Sequence, residues 1–267
     1  MTKRKANNIT SAKNEQYHIA CKPGDVAKNI ILVGDPQRAF RISTRFDKIR
    51  FRKQHREYVT FTGTYKNIPM TVMATGIGQG NMEIAMVELS QIISKPWIIR
   101  CGTSSGLQKN IRLGSLVISH DVHDLGNLAT YYKVAKKKIK ASPKIESALV
   151  QACAELGIIS HVGKTASAPG FYGPQGRKIK GFPISKPGII QTLIKKRIMN
   201  LEMEVATMFS LAACNGTPVG AICGAIGNRA RNDFLDDTGI MKTEQKCIES
   251  VLKAFEILNR TTKRTKK

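Results

Sequence analysis

Acid is scarce in this chain. Nineteen aspartates and glutamates stand against 43 lysines and arginines in 267 residues, a net charge of +24. Such a field attracts phosphate-bearing ligands in a salt-dependent way. No RNP aromatic pattern, KH loop or zinc finger accompanies it, so the charge reads more simply as a lysine-rich solvated surface than as a nucleic-acid interface. Cysteines are scattered: Cys21, Cys101, Cys153, Cys214, Cys223 and Cys247 form no C-x-x-C pair. That argues against a structural zinc site or a disulfide framework and points to a reducing cytoplasm. No apolar run approaches the roughly 20 residues of a membrane helix. Met1 to Gln16 is basic and lacks the apolar centre of a secretory signal. Internal repeats and interdomain linkers are missing too.

What is present is enough for a core, since 42% of residues are hydrophobic. The chain divides into a basic tail at 1–16, one domain at 17–259, and a second basic tail at 260–267. Short apolar runs alternating with helical patterns predict an α/β fold. Ile30 to Val33, Met70 to Ala74, Trp97 to Ile99 and Val219 to Ile226 read as strands. Each is followed by a glycine-rich or polar loop, where open α/β sheets collect ligands. Helical faces run through Met82, Ala85, Met86, Leu89 and Ile93, and through Leu201, Val205, Met208 and Ala212, the latter closed by Asn215-Gly216. A terminal helix carries Ile248, Val251, Leu252, Phe255 and Leu258.

Two segments carry the chemistry. Gly34-Asp35-Pro36-Gln37-Arg38 offers backbone N–H groups and a guanidinium to an oxyanion. Asn200 to Thr207, read as a helix start, offers the carboxylates of Glu202 and Glu204 to sugar hydroxyls. Two residues apart on a helix, they should point in different directions, so only one is expected to reach a given sugar. Arg100-Cys101-Gly102-Thr103-Ser104-Ser105-Gly106 reads as a second anion loop. Cys101 within it reads as a small buried residue. Phe171 to Arg177 brings an aromatic surface, an amide and a guanidinium into one rigid turn. Gln175 can donate and accept together, as the edge of uracil requires. Gly76-Ile77-Gly78-Gln79-Gly80 has the wrong spacing, and no acid about 20 residues on, for a dinucleotide fingerprint.

Taken in order, these motifs resemble the nucleoside phosphorylase-I family, and within it the pyrimidine-cleaving members. The resemblance runs through His18, Gly34-Asp35-Pro36-x-Arg38, His55-Arg56-Glu57, Thr75 to Gly78, Arg100-x-Gly102-Thr103, Phe171 to Arg177, Glu202-Met203-Glu204 and Asn228-Arg229. It implies a single-domain three-layer α/β/α sandwich around a central mixed sheet. It also implies a phosphate site of Gly34, Arg38, Arg100 and Thr103, completed by Arg56 of a neighbouring subunit. Met203 and Glu204 would hold the ribose, with the neighbour's His18 near its 5′-hydroxyl. Phe171, Gln175 and Arg177 would hold the base, and Arg229 would stabilise it as it leaves. Asn228 stands where purine-preferring relatives are expected to carry an aspartate, which favours uridine.

The implied activity is phosphorolysis of uridine to uracil and ribose 1-phosphate, in pyrimidine salvage. Inorganic phosphate is then a co-substrate, with no cofactor and no catalytic metal. Some relatives build a monovalent-cation site from the glutamate matching Glu57. Gln79-Gly80-Asn81 departs from the Gly-Pro-Ser common beside that site and speaks against one here. A homo-oligomer with shared active sites is implied, a dimer at least and a hexamer in the usual assembly. The rivals are a purine nucleoside phosphorylase of the same family, a nucleosidase that uses water, and a basic nucleic-acid-binding protein on a retired enzyme fold.

Overall fold

The computed structural model describes residues 14–134 and 139–264, and side chains as far as 261. Most of the expected N-terminal tail and part of the lysine-rich stretch Lys133 to Lys144 lie outside the described residues. The first strand, β1 (Asn29–Val33), shows how the layers arise. Its side chains alternate, Ile30 and Leu32 entering one apolar cluster and Ile31 and Val33 the other. A strand buried on both faces reads as a continuous apolar run, and helices must cover both sides.

One face carries α1 (Pro36–Ser43), α3 (Pro143–Glu155) and α6 (Asp237–Arg264). Ile42, Leu149 and Phe255 pack together there. The other face carries α2 (Gln79–Ile92) and α5 (Val205–Asn215), which bury Met82, Leu89, Met208 and Phe209. A short α4 (Ile189–Lys195) packs Ile190 and Leu193 into a third cluster. The three-layer architecture is as expected. The stop at Asn215-Gly216 is also found: Gly216 adopts φ 72°, the left-handed conformation that ends helices at little cost to glycine. Helix α6 runs through Arg264, so the tail boundary expected after residue 259 falls inside a helix.

The remaining strands are β2 (Lys48–His55), β3 (Tyr58–Tyr65), β4 (Ile68–Ala74), β5 (Trp97–Gly106), β6 (Leu116–Asp124), β7 (Ser160–Ser167), β8 (Asn200–Glu202), β9 (Val219–Asn228) and β10 (Asp233–Phe234). Strands β1, β4, β5 and β9 pair in parallel, while β2, β3 and β4 form an antiparallel edge. The sheet is more than an open one. β5 pairs with both β8 and β9, and β9–β6–β7–β8 completes a ring back to β5.

Two local readings are corrected here. Arg100 to Gly106 is no loop: β5 continues to Gly106 because β9 pairs along it as far as Asn228 and β8 flanks its end. Asn200 to Thr207 is not a helix start: Asn200 to Glu202 is strand, and the helix begins at Val205. Leu201 therefore belongs to β8, not to the helical face.

Candidate active site

The parallel strands deliver their carboxyl ends to one side of the sheet, where a cavity of about 630 Å³ opens. Gly34, Arg38, Arg100, Thr103, Phe171, Gln175, Arg177, Met203 and Glu204 all line it, drawn from segments as far apart as β1 and the start of α5. His18, Arg56 and Arg229 are not among its lining residues.

The Gly34–Arg38 turn is fixed by Asp35. Its carboxylate caps α1 by accepting from the N–H groups of Gln37 (2.9 Å) and Arg38 (3.0 Å), and Pro36 opens the helix. Arg38 is thereby set on the first turn, buried, with Nη1 donating to the Cys101 carbonyl at 3.2 Å. Its Nη2 donates to Glu244 Oε1 at 2.5 Å. Burial is the largest influence and works against its charge, but the Glu244 hydrogen bond and charge, together with the neighbouring Cys101 and Cys247, outweigh it and leave the pKa raised.

Arg100 projects from β5, also buried. Its Nη2 donates to Glu204 Oε2, and its Nε lies 3.4 Å from Glu202 Oε2. The expectation that the two glutamates diverge fails, because a strand-to-helix turn brings both carboxylates to one guanidinium. Glu202 has a structural job. It accepts from the N–H groups of Glu204 (2.8 Å) and Val205 (2.9 Å) and from the Ser167 hydroxyl, so it pins the start of α5. Burial, and then the neighbouring Glu204, push its pKa up to about 7. Glu204 also receives the Gly78 N–H at 2.6 Å, tying the ribose candidate to the α2 start. Gly78 can present that N–H because φ +100° is open to glycine.

The decisive chemical feature lies in what these arginines leave unused. The Nε of Arg38 and the Nη1 of Arg100 are buried without a hydrogen-bond partner, and the Nε of Arg100 makes no hydrogen bond beyond its 3.4 Å ion-pair contact with Glu202. Unpaired buried donors are costly, and an oxyanion in the cavity would supply the acceptors.

At the other end, Arg177 stacks 3.8 Å over the Phe171 ring and donates through Nη1 to the Phe171 carbonyl (2.6 Å) and to Gln175 Oε1 (2.5 Å). Burial lowers its pKa to about 10, with repulsion from Arg229 adding to the effect. It remains a cation at neutral pH, close to a second one. Asn228 is not among the residues lining the cavity. It is 1% exposed, its Nδ2 donates to the carbonyls of Gln108 (2.9 Å) and Ile111 (2.8 Å), and its Oδ1 accepts from Ala230 and Arg231 N–H. The amide is spent on backbone beside the cavity.

Reading the residues missed Glu244, which reaches Arg38 from α6. It also missed Ile226 and Phe234, which line the cavity. Phe234 carried no signal, since it sits on a two-residue strand. Among the described residues, no group of three or more His, Cys, Asp or Glu is placed to hold a metal ion.

The sequence profile of the Phosphorylase superfamily matches residues 28–261. The chain belongs to that superfamily. It is 39% identical over 221 residues to a uridine phosphorylase of Thermococcus kodakarensis, covering 82% of this chain and 79% of that one. Against the uridine phosphorylase of Escherichia coli the figure is 28% over 252 residues, 91% of this chain and 98% of the other. A guanosine phosphorylase of Halorubrum lacusprofundi is 27% identical over 249 residues, 93% and 98% of the two chains. Among solved structures, a Trypanosoma brucei nucleoside phosphorylase described as showing uridine phosphorylase activity superposes with a TM-score of 0.87 at 25% identity. The match covers 92% of this chain and 98% of that one.

Proposed function

We propose that this chain is a uridine phosphorylase, a pentosyltransferase that cleaves uridine with inorganic phosphate to give uracil and ribose 1-phosphate. One observation carries the reading: two buried arginines with unpartnered N–H edges share a cavity with Glu204 and with the Phe171, Gln175 and Arg177 cluster. The uridine phosphorylases among its relatives support the choice of base.

A phosphate oxygen attacks C1′ of the ribose, the bond from C1′ to the base breaks, and its electron pair leaves with uracil. Positive charge develops on the sugar and negative charge on the base. Arg38 and Arg100, with Gly34 and Thr103, hold the phosphate at C1′, and proximity supplies much of the acceleration. Glu204 accepts from the ribose hydroxyls and Met203 packs against the sugar. Gln175 takes the uracil edge. Arg177, backed by Arg229, meets the charge that appears as the base departs. Phosphate is a co-substrate and the chemistry asks for no cofactor.

His18 and Arg56 complete the site of a neighbouring subunit in this proposal. They lie together on one surface outside their own chain's cavity. The Arg56 guanidinium sits 5.5 Å over the Tyr17 ring, and that ring is 4.8 Å from the His18 imidazole. Glu88 holds His18 by Nδ1 at 2.7 Å. Arg56 turns the β2–β3 hairpin at φ 53°. The minimal unit is then a dimer and the assembly a hexamer. Free thiols at all six cysteines suit a reducing cytoplasm. Among the described residues no helix is long and apolar enough to cross a membrane.

The guanosine phosphorylase among the relatives keeps a purine enzyme as the second reading. The test is release of free base from uridine, thymidine, inosine and guanosine in phosphate buffer. Uridine should be preferred, and faster cleavage of inosine or guanosine would transfer the assignment to purines.

A further inference from the structure

Glu244 lies on α6, about 200 residues from the arginines it meets, and the residue is only 9% exposed. It bridges two guanidinium groups one helical turn apart on α1. Oε1 accepts from Arg38 Nη2 and Oε2 from Arg41 Nη2, each at 2.5 Å. Arg41 is half-exposed and reaches on to Asp35 Oδ2 at 3.3 Å, the carboxylate that caps α1. The Cys101 carbonyl holds the other terminal nitrogen of Arg38. Both ends of the Arg38 fork are therefore fixed by protein, and the Nε–H is the buried donor left without a partner.

A buried carboxylate next to a phosphate site is electrostatically unfavourable unless it is neutralised. Arg41 supplies that charge from the solvent side while lining no part of the cavity. We infer that Glu244 is a positioning residue for phosphate, that it locks the Arg38 guanidinium with its Nε–H edge toward the anion, and that Arg41 serves as its counter-charge. The inference rests on the reading of Arg38 as a phosphate ligand. It assigns α6 a part in the reaction although that helix brings no residue to the cavity wall.

Positioning of this kind acts on one substrate only. Losing one charge-assisted contact that orients Arg38 should raise KM for phosphate about tenfold. KM for uridine should stay within about twofold, because Glu244 touches nothing at the ribose or base end. Arg41→Ala should also raise KM for phosphate, by leaving the Glu244 charge uncompensated. In a Glu244→Gln background it should add nothing, since the charge it compensates is gone and its remaining contact, with Asp35, reaches only the Arg38 backbone N–H and not the guanidinium. That non-additivity is the signature of one coupled unit.

The experiment measures steady-state uracil release by Glu244→Gln, Arg41→Ala, the double variant and Arg38→Ala, titrating each substrate with the other saturating. Thermal unfolding checks that each variant is folded, and the half-exposed Arg41 change carries the test if Glu244→Gln proves unstable. The expected result is a phosphate-selective KM increase in both single variants and no further increase in the double. Equal effects on both substrates, an unchanged phosphate KM, or additive effects would overturn the inference. Arg38→Ala separates the two layers: if it leaves phosphate KM unchanged, the phosphate site itself is misassigned. If it raises that KM and Glu244→Gln does not, only the role of Glu244 fails.

Discussion

Replacing Asn228 by aspartate tests whether that position selects the base or supports the fold. The substitution keeps the oxygen that accepts from the Ala230 and Arg231 N–H groups. It removes the amide that donates to the Gln108 and Ile111 carbonyls at 2.9 and 2.8 Å, and sets an oxygen against both. Each buried acceptor left unsatisfied costs roughly 1–3 kcal/mol, so the pair should lose about 3–5 kcal/mol. For a chain of this size that lowers Tm by on the order of 10 °C. A carboxyl facing two carbonyls at 1% exposure is better neutral than charged, so its folded pKa should rise above the unfolded value. The deficit should then be smallest at low pH and grow as pH rises through that folded pKa. Urea unfolding at pH 5 and pH 7.5 with a nucleoside panel measures both consequences. A variant as stable as the parent that cleaves inosine would refute the argument, because the side chain would then have to face the base.

Arg100→Ala should cost on the order of 10²-fold or more in turnover if, as proposed, the buried guanidinium that pairs with Glu204 also holds the phosphate; single-turnover uracil release measures it, and a near-normal rate would remove Arg100 from the site. Arg56→Ala and Glu204→Ala, each inactive alone, should recover part of the activity when co-assembled, because some mixed sites combine an intact Arg56 with an intact Glu204. No recovery in verified mixed oligomers would place both on one chain's site. Burial raises Glu202 to about 7 from an ordinary 4.5, so the folded state binds its proton more tightly and this contribution to stability is lost as pH rises toward 7. Glu202→Gln lacks that loss, and its Tm deficit against the parent should narrow between pH 4.5 and 7; a widening deficit would mean that the native carboxylate is held in its charged form.

The parts that a sequence shows best are those fixed by local pattern. Ile30 to Val33 is an uninterrupted apolar run, and Met70 to Ala74 is broken only by Thr71, because helices cover both faces of their strands. The stripe through Val251 and Phe255 is periodic because one side of α6 is core. The cap that Asp35 and Pro36 give α1 is local chemistry of the same kind. Segments shaped by distant partners were not legible. Ser104, Ser105 and Gly106 have loop composition, and only pairing to β8 and β9 makes them strand. Glu202 and Glu204 looked divergent under a helical period that does not apply there, since the turn between β8 and α5 aims both at Arg100. Strand β2, with Arg50, Arg52 and Lys53, is charged because it forms the exposed edge of the sheet. The Glu244 contact spans 206 residues and has no local pattern at all.

The most direct test of the central claim is the dependence of uridine cleavage on phosphate. Enzyme freed of phosphate by exhaustive dialysis is incubated with uridine, and uracil and ribose 1-phosphate are quantified as phosphate is added back. The unused N–H edges of Arg38 and Arg100 predict no uracil above background without phosphate. With phosphate they predict saturable release, with one ribose 1-phosphate formed per uracil. Equal uracil release in both conditions, with free ribose as the sugar product, would make water the nucleophile and contradict the account.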